Sequence, residues 1–248
     1  AECPFGLDIR DFIGKLQQGR FNVAYKNYQN TVGFPGIVST LCPEPCKQVC
    51  ALKDSGGSIS LRMLEKASMD FARNTEPDQF NMPAKEKTIA IIGGGISGLA
   101  CALRLSTKKY RLSLFEKTDH TGGHLCNLSG SEEFMADIEK QFRYEKYQLH
   151  LNTEIHNLDD LKYDAVYIAT GSGGEDFGLT HPANNSFATD REGVFMGGSV
   201  TGADTINAIA HGLNVSAAIE TYLKTGSMSH CHPGKGTKLT YDAIHIIP

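Results

Sequence analysis

Residues 87–117 read KTIAIIGGGISGLACALRLSTKKYRLSLFEK, and this stretch decides the fold. An apolar run leads into a glycine cluster, a helical segment follows, and a second apolar run ends at Glu116. That order is a strand–helix–strand unit of a parallel sheet. Gly93, Gly95 and Gly98 satisfy G-x-G-x-x-G in the context that gives the pattern meaning, a strand before it and a helix after it. Each glycine has a physical task. Gly93 permits the tight turn, Gly95 lets the backbone approach a pyrophosphate at the positive helix N-terminus, and Gly98 lets the helix lie close on the strand. Ile96 and Ser97 open that helix. Glu116 stands where a carboxylate accepts hydrogen bonds from ribose hydroxyls. The expectation is an α/β, Rossmann-like dinucleotide-binding domain. The fingerprint alone does not choose between FAD and NAD(P).

Working toward the C-terminus, SEEFMADIEKQFRYEKY (131–147) predicts a helix with Phe134, Ile138 and Phe142 inward. YDAVYIATGS (163–172) is a buried strand ending in a glycine turn, and EGVFMGGSVTG (192–202) is another. A long helix is expected over DTINAIAHGLNVSAAIETYLKTG, with Asp204 near its start and Gly226 after its end. LTYDAIHIIP (239–248) reads as a short strand within a tail, 227–248.

Toward the N-terminus, residues 1–80 read as a small helical domain. Ile9, Phe12, Ile13 and Leu16 recur at helical spacing before Gly19. Phe21, Ala24, Tyr25 and Tyr28 share a second face, and Leu61, Leu64, Ala67 and Phe71 a third. NTEPDQFNMPAKEK (74–87) is a polar linker with two prolines. The domain has few large apolar residues for its size, so a metal centre would help hold it together.

Between the second and third helical faces lies STLCPEPCKQVCALKD (39–54), with Cys42, Cys46 and Cys50 four residues apart. Four chemistries fit such a run in principle: a disulfide set, zinc, buried thiols, or an iron–sulfur cluster. Seven cysteines without an export signal suit a reducing, cytoplasmic setting and disfavour disulfides. Zinc sites usually carry C-x-x-C or C/H pairs. A [4Fe–4S] cluster needs soft thiolate ligands. Cys46 and Cys50 can share one face of a helical turn, the prolines bend Cys42 toward the same centre, and Cys3 is the natural fourth ligand. Cys101 reads as core and Cys126 as a partly buried thiol. His120 and His124 read as loop residues, and His230 to His232 as part of the tail.

In their order, these segments resemble the FAD half of the two-dinucleotide flavoproteins. Within that group the chain is most similar to the glutamate synthase small subunit and the flavin region of dihydropyrimidine dehydrogenase. CPFGLDIRDFIGKLQQGRFNVAYK and LCPEPCKQVC have counterparts in the helical iron–sulfur domain of that family. The resemblance implies FAD, with its adenosine part at Gly93–Gly98 and Glu116. It implies that Lys117, Gly123, His124 and Leu125 run along the flavin, with Ala169, Thr170 and Gly171 at the end of a neighbouring strand. It implies that Gly198, Ser199, Thr205 and Ala208 meet the ribityl and pyrophosphate groups. For the cluster it offers two ligand sets. One is all cysteine: Cys3, Cys42, Cys46 and Cys50. The other takes Glu65 as the fourth ligand and leaves Cys50 for a second cluster.

Two departures matter. Ser199 stands where the family usually has an aspartate, and a hydroxyl lacks the charge-assisted strength of a carboxylate. The NAD(P)-binding domain that the family inserts after the "ATG" strand is missing; only a short segment separates Gly174 from Gly193.

The net charge of −4 and the lack of a basic patch argue against nucleic acid as a partner. No apolar run is long enough for a membrane span. No catalytic triad or paired-carboxylate constellation is visible, so no catalytic side chain is assigned. The functional expectation is an oxidoreductase: an electron-transfer subunit passing electrons between FAD, one [4Fe–4S] cluster and the other subunits of a complex. The alternatives are a compact NAD(P)H-dependent oxidoreductase and a structural module without redox centres.

Overall fold

The computed structural model describes residues 3–180 and 186–228. Four helices come first: α1 (Ile9–Gln17), α2 (Phe21–Val32), α3 (Pro35–Leu41) and α4 (Leu61–Phe71). Asp8 caps α1 by accepting from the Asp11 N–H at 3.1 Å. Phe12 of α1 and Ala24, Tyr25 and Tyr28 of α2 are buried, as the helical spacing predicts.

On α4 the expected stripe is corrected. Leu61 is buried, but its buried companions are Glu65 and Ser68, while Phe71 is 65% exposed and meets Phe21 ring to ring at 5.3 Å. The helix is turned so that a carboxylate faces inward, which apolar periodicity cannot foresee.

The quoted stretch folds as read: β1 (Thr88–Ile92), α5 (Ile96–Thr107) and β2 (Arg111–Phe115). Then come α6 (Ser131–Gln141), β3 (Gln148–His150), β4 (Ala165–Ile168), β5 (Val194–Met196) and α7 (Thr205–Thr225). All five strands are parallel, in the order β3-β2-β1-β4-β5. β1 is central, pairing Ile91 with Leu114 on one side and with Tyr167 on the other. Asp204 caps α7 by accepting from the Asn207 N–H at 2.8 Å, and Gly226 ends it at φ 69°.

One face of the sheet carries α5 and α7. Their apolar side chains join those of α1–α3 in a single core that includes Phe12, Tyr28, Phe34, Leu99, Ile209 and Leu213. The helical domain is thus packed onto the sheet domain rather than tethered to it. Residues 74–87 form no helix or strand and are pinned at several points. Tyr25 donates to the Thr75 carbonyl, Lys26 pairs with Asp78 at 2.9 Å, and Lys85 pairs with Glu220 at 3.1 Å. The other face of the sheet buries Ile92, Phe115, Val166, Ile168 and Met196 under loop residues such as Leu158, Tyr163 and Phe177. No helix among the described residues is long and apolar enough to cross a membrane. The last strand and the histidines 230 and 232 read from the sequence lie outside the described residues.

Candidate dinucleotide and cluster sites

Parallel strands bring their C-terminal ends to one edge, and in open α/β sheets ligands bind there. At this edge the chain turns from β1 into α5. Gly93 has φ +108°, and a β-carbon there would sit 2.3 Å from the Ala169 carbonyl oxygen. A β-carbon at Gly98 would sit 2.0 Å from the Gly93 oxygen. At Gly95 it would meet nothing within 4 Å, so this backbone lies open at the N-terminus of α5. Two closures and one opening are what a bound pyrophosphate requires.

Glu116, at the end of β2, is buried and already oriented. Its Oε2 accepts the Gly94 N–H at 2.7 Å, and its Oε1 accepts the Thr118 N–H and hydroxyl, both at 2.9 Å. The flavin-side loop folds back on the turn, the Gly122 N–H donating to the Gly94 carbonyl at 2.8 Å. Lys117, Gly123 and His124 on it are exposed, whereas Leu125 is in the core. Ser97 sends its hydroxyl inward, 2.7 Å from that of Tyr167.

From β4, Ala169, Thr170 and Gly171 reach the same edge; the Ala169 N–H is bonded to the Ile92 carbonyl at 2.8 Å. From β5, Gly198 and Ser199 lie in a short 3₁₀ turn, and the Gly198 N–H donates to His211 Nδ1 at 3.2 Å. Thr205 opens α7, and Ala208 is buried one turn on. His211 carried no motif in the sequence, yet its ring holds the β5 turn and meets Phe187 edge-on at 5.2 Å.

Among the first four helices, Cys3, Cys42, Cys46 and Glu65 line one cavity, walled by Phe5, Leu7, Val32, Val38 and Leu61. The local folding is specific. Cys42 ends α3, its N–H bonded to the Val38 carbonyl at 3.0 Å. Glu44 then takes left-handed backbone, φ 54°, which swings Pro45–Lys47 and with it Cys46 back over the cavity. The Glu44 carboxylate caps α4, accepting the Arg62 N–H at 3.1 Å and the Ser60 hydroxyl at 3.2 Å, and it pairs with Lys47 at 2.6 Å. One turn along α4, Glu65 faces the cavity and receives the Tyr28 hydroxyl at 3.3 Å.

Cys50 is not brought to this cavity. Its sulfur lies in the loop beyond, among the N–H groups of Ile59 and Leu52 and the Ser58 hydroxyl, which lower the thiol's pKa. The regular four-residue spacing suggested one centre for all three cysteines. The left-handed Glu44 and the short turn after it break that regularity.

The electrostatics of the cavity point to a cation. Burial, with the Glu65 carboxylate and the Cys3 and Cys46 thiols close by, pushes Cys42 up to about 11. Burial raises Cys46 too, and it pushes Glu65 up to about 7 despite the Tyr28 hydrogen bond. Such a set is costly to ionise unless positive charge is supplied at its centre. Among the described residues no three His, Cys, Asp or Glu side chains approach closely enough to hold a single metal ion. Three thiols and a carboxylate lining one cavity are donor types that an iron–sulfur cluster takes, and the open Gly95 turn with Glu116 fits a dinucleotide.

Comparison with known proteins bears on the class. Residues 1–77 match dihydropyrimidine dehydrogenase domain II, 4Fe-4S cluster, and residues 91–137 match the NAD(P)-binding Rossmann-like domain. Together with the relatives, the two matches support a flavo-iron–sulfur protein like the glutamate synthase small subunit, with FAD and a [4Fe–4S] cluster as cofactors. The glycine fingerprint is common to flavin and nicotinamide dinucleotides, so the wording of the second match does not oppose FAD.

Among particular proteins, the chain is 29% identical over 181 residues to the glutamate synthase [NADPH] small chain of Bacillus subtilis, covering 68% of this chain and 37% of that one. It is 29% identical over 184 residues to the NADPH-Fe(3+) oxidoreductase subunit beta of Geobacter sulfurreducens, covering 68% and 27%. The Escherichia coli glutamate synthase [NADPH] small chain is 28% identical over 184 residues, covering 69% and 39%. The chain thus spans less than two fifths of these relatives. Their names are those of oxidoreductases, and the Rossmann-like domain fits that chemistry.

Proposed function

We propose that the chain is the flavin and iron–sulfur part of an oxidoreductase complex, moving electrons between FAD, one [4Fe–4S] cluster and a partner protein. The observation that carries this reading is the pairing of two sites on one continuous core: an open glycine turn with a preset Glu116, and a cavity with three thiols and a carboxylate. The flavin supplies two-electron chemistry and the cluster one-electron chemistry when bound. The chain's own residues do the placing. Gly95 and the α5 N-terminus receive the pyrophosphate, Glu116 the ribose, and the Gly198–Ser199 turn the ribityl side. Cys3, Cys42, Cys46 and Glu65 are proposed as the cluster ligands, with Cys50 outside the set because it does not line the cavity. Tyr28 holds the Glu65 carboxylate in place, as outer hydrogen bonds do for metal ligands.

Partner exchange is favoured over direct nicotinamide oxidation because only a short segment lies between β4 and β5, where the family carries its nicotinamide domain. The names of the relatives, a small chain and a beta subunit, support the same reading. The rival, a compact NAD(P)H oxidoreductase, draws on the description of the Rossmann match. Anaerobic mixing of the holoprotein with NADPH and NADH separates them. The proposal expects flavin absorbance to persist over seconds, and bleaching at an enzyme-like rate would overturn it in favour of the rival.

A further inference from the structure

The corner between α2 and α3 is where the helical domain meets the sheet domain. Phe34 is fully buried in it, and Gly33 lies so close to α7 that a β-carbon there would come 3.1 Å from Leu213. Two helix ends of opposite polarity meet at this corner, the C-terminus of α2 and the N-terminus of α3. A helix C-terminus leaves carbonyls unpaired and favours a cation; an N-terminus leaves N–H groups unpaired and favours an anion. Both partners come from the other domain. Arg104 of α5 donates Nη2 to the Asn30 carbonyl, in the last turn of α2, at 2.7 Å. Asp137 of α6 accepts the Ile37 N–H, in the first turn of α3, at 3.0 Å. A chain of amides ties Asp137 back to α2: Asp137 Oδ1 accepts from Gln141 at 3.1 Å, and Gln141 accepts from Gln29 of α2 at 2.9 Å.

What these four helices carry gives the corner its meaning. α5 starts at the glycine turn. α6 presses Met135 onto the flavin-side loop, where a β-carbon at Gly122 would meet its methyl at 2.8 Å. α3 ends in Cys42, and α2 carries Tyr28, the partner of Glu65. The corner therefore joins the two sites through side chains that touch neither.

We propose that Arg104 and Asp137 are positioning residues, capping opposite helix ends across the domain boundary and so holding the cluster cavity in one fixed register with the flavin loop. This rests on the function proposed above for the two sites. Substituting Asp137 frees the start of α3 without touching a cofactor ligand. Gly36→Ala does the same without removing the carboxylate, because its β-carbon would lie 3.0 Å from Asp137 Oδ2.

The test uses the anaerobic holoprotein, as wild type, Asp137→Ala, Asp137→Asn and Gly36→Ala. Hydrogen exchange is measured at residues 35–41, together with the cluster reduction potential and the rate of electron transfer between the two centres after flash reduction. Iron and flavin contents serve as controls. The proposal expects both cofactors retained, exchange in α3 at least ~10-fold faster in Asp137→Ala and Gly36→Ala than in wild type, a shifted cluster potential and several-fold slower transfer. Asp137→Asn, which keeps an acceptor oxygen, should lie between. Wild-type exchange, potential and transfer in Asp137→Ala would overturn it, as would changed exchange with unmoved potential and rate, which marks a purely structural cap. A wild-type protein lacking iron or flavin would instead overturn the functional reading, and the exchange result would still report on the cap.

Discussion

Replacing Gly212 by alanine tests how closely the flavin site depends on helix packing. Gly212 lies where α7 crosses α5, and a β-carbon there would come 2.1 Å from the Ser97 carbonyl oxygen and 2.8 Å from the Ala100 β-carbon. A comfortable carbon–oxygen contact is about 3.3 Å, so the helices must part by roughly 1 Å. Neither obstacle is a flexible side-chain end, and both helices are anchored in the core, so relief is expensive. Overpacking costs roughly 1–3 kcal/mol, and backbone as the obstacle places this case at the upper end, near ~3 kcal/mol. In a chain of this size each kcal/mol moves the melting temperature by about 2–4 °C, which gives a loss of roughly 6–12 °C. Because Ser97 directly follows the glycine turn, flavin retention should fall as well. Thermal unfolding of wild type and Gly212→Ala at one scan rate, followed by circular dichroism and flavin fluorescence, reads both. A melting temperature within ~2 °C of wild type with undiminished flavin would refute the packing argument.

Other outcomes follow from the same geometry. Glu116→Ala removes the ribose acceptor and the anchor of the Gly94 N–H, and FAD titration should give roughly 10–100-fold weaker binding, about 1.4–2.7 kcal/mol. Cys46→Ser should purify without cluster iron and Cys50→Ser should keep it; iron analysis of the two variants decides, and loss of iron in both would restore the all-cysteine set. Glu220 is partly buried, which alone would raise its pKa, but Lys108 at 2.6 Å and Lys85 at 3.1 Å outweigh burial and hold it at about 2. A carboxylate depressed in the folded state stabilises above its unfolded pKa and loses that contribution as pH falls through the folded one. Denaturation at pH 6 and pH 2.5 should therefore show roughly 2 kcal/mol of acid-sensitive stability, after discounting for solvent screening, that is missing in Glu220→Gln.

The parts of the fold that were legible are those whose residues act locally. The glycine turn could be read because Gly93 and Gly98 have no room for a side chain, and β1 and β4 because strands buried on both faces are continuous apolar runs. β3 was not legible: it has three residues, with Gln148 and Leu149 exposed, and its place is set by pairing with β2. Phe71 was misplaced because α4 spends an inward position on Glu65, a choice that apolar periodicity counts as noise and the cysteine cavity explains. The motif told that Cys42, Cys46 and Cys50 are close in sequence; a left-handed residue at Glu44 decides which of them meet Cys3. The Arg104 and Asp137 caps left no trace in the sequence, since each serves a helix end that is distant along the chain.

The central claim is that one chain holds both redox groups. Anaerobic purification followed by quantitation of flavin, iron and acid-labile sulfide tests it most directly. The account predicts about one FAD, four irons and four sulfides per chain, with the flavin identified as FAD after release. Material prepared under the same conditions that contains neither flavin nor iron and sulfide, and takes up neither on reconstitution, would contradict it.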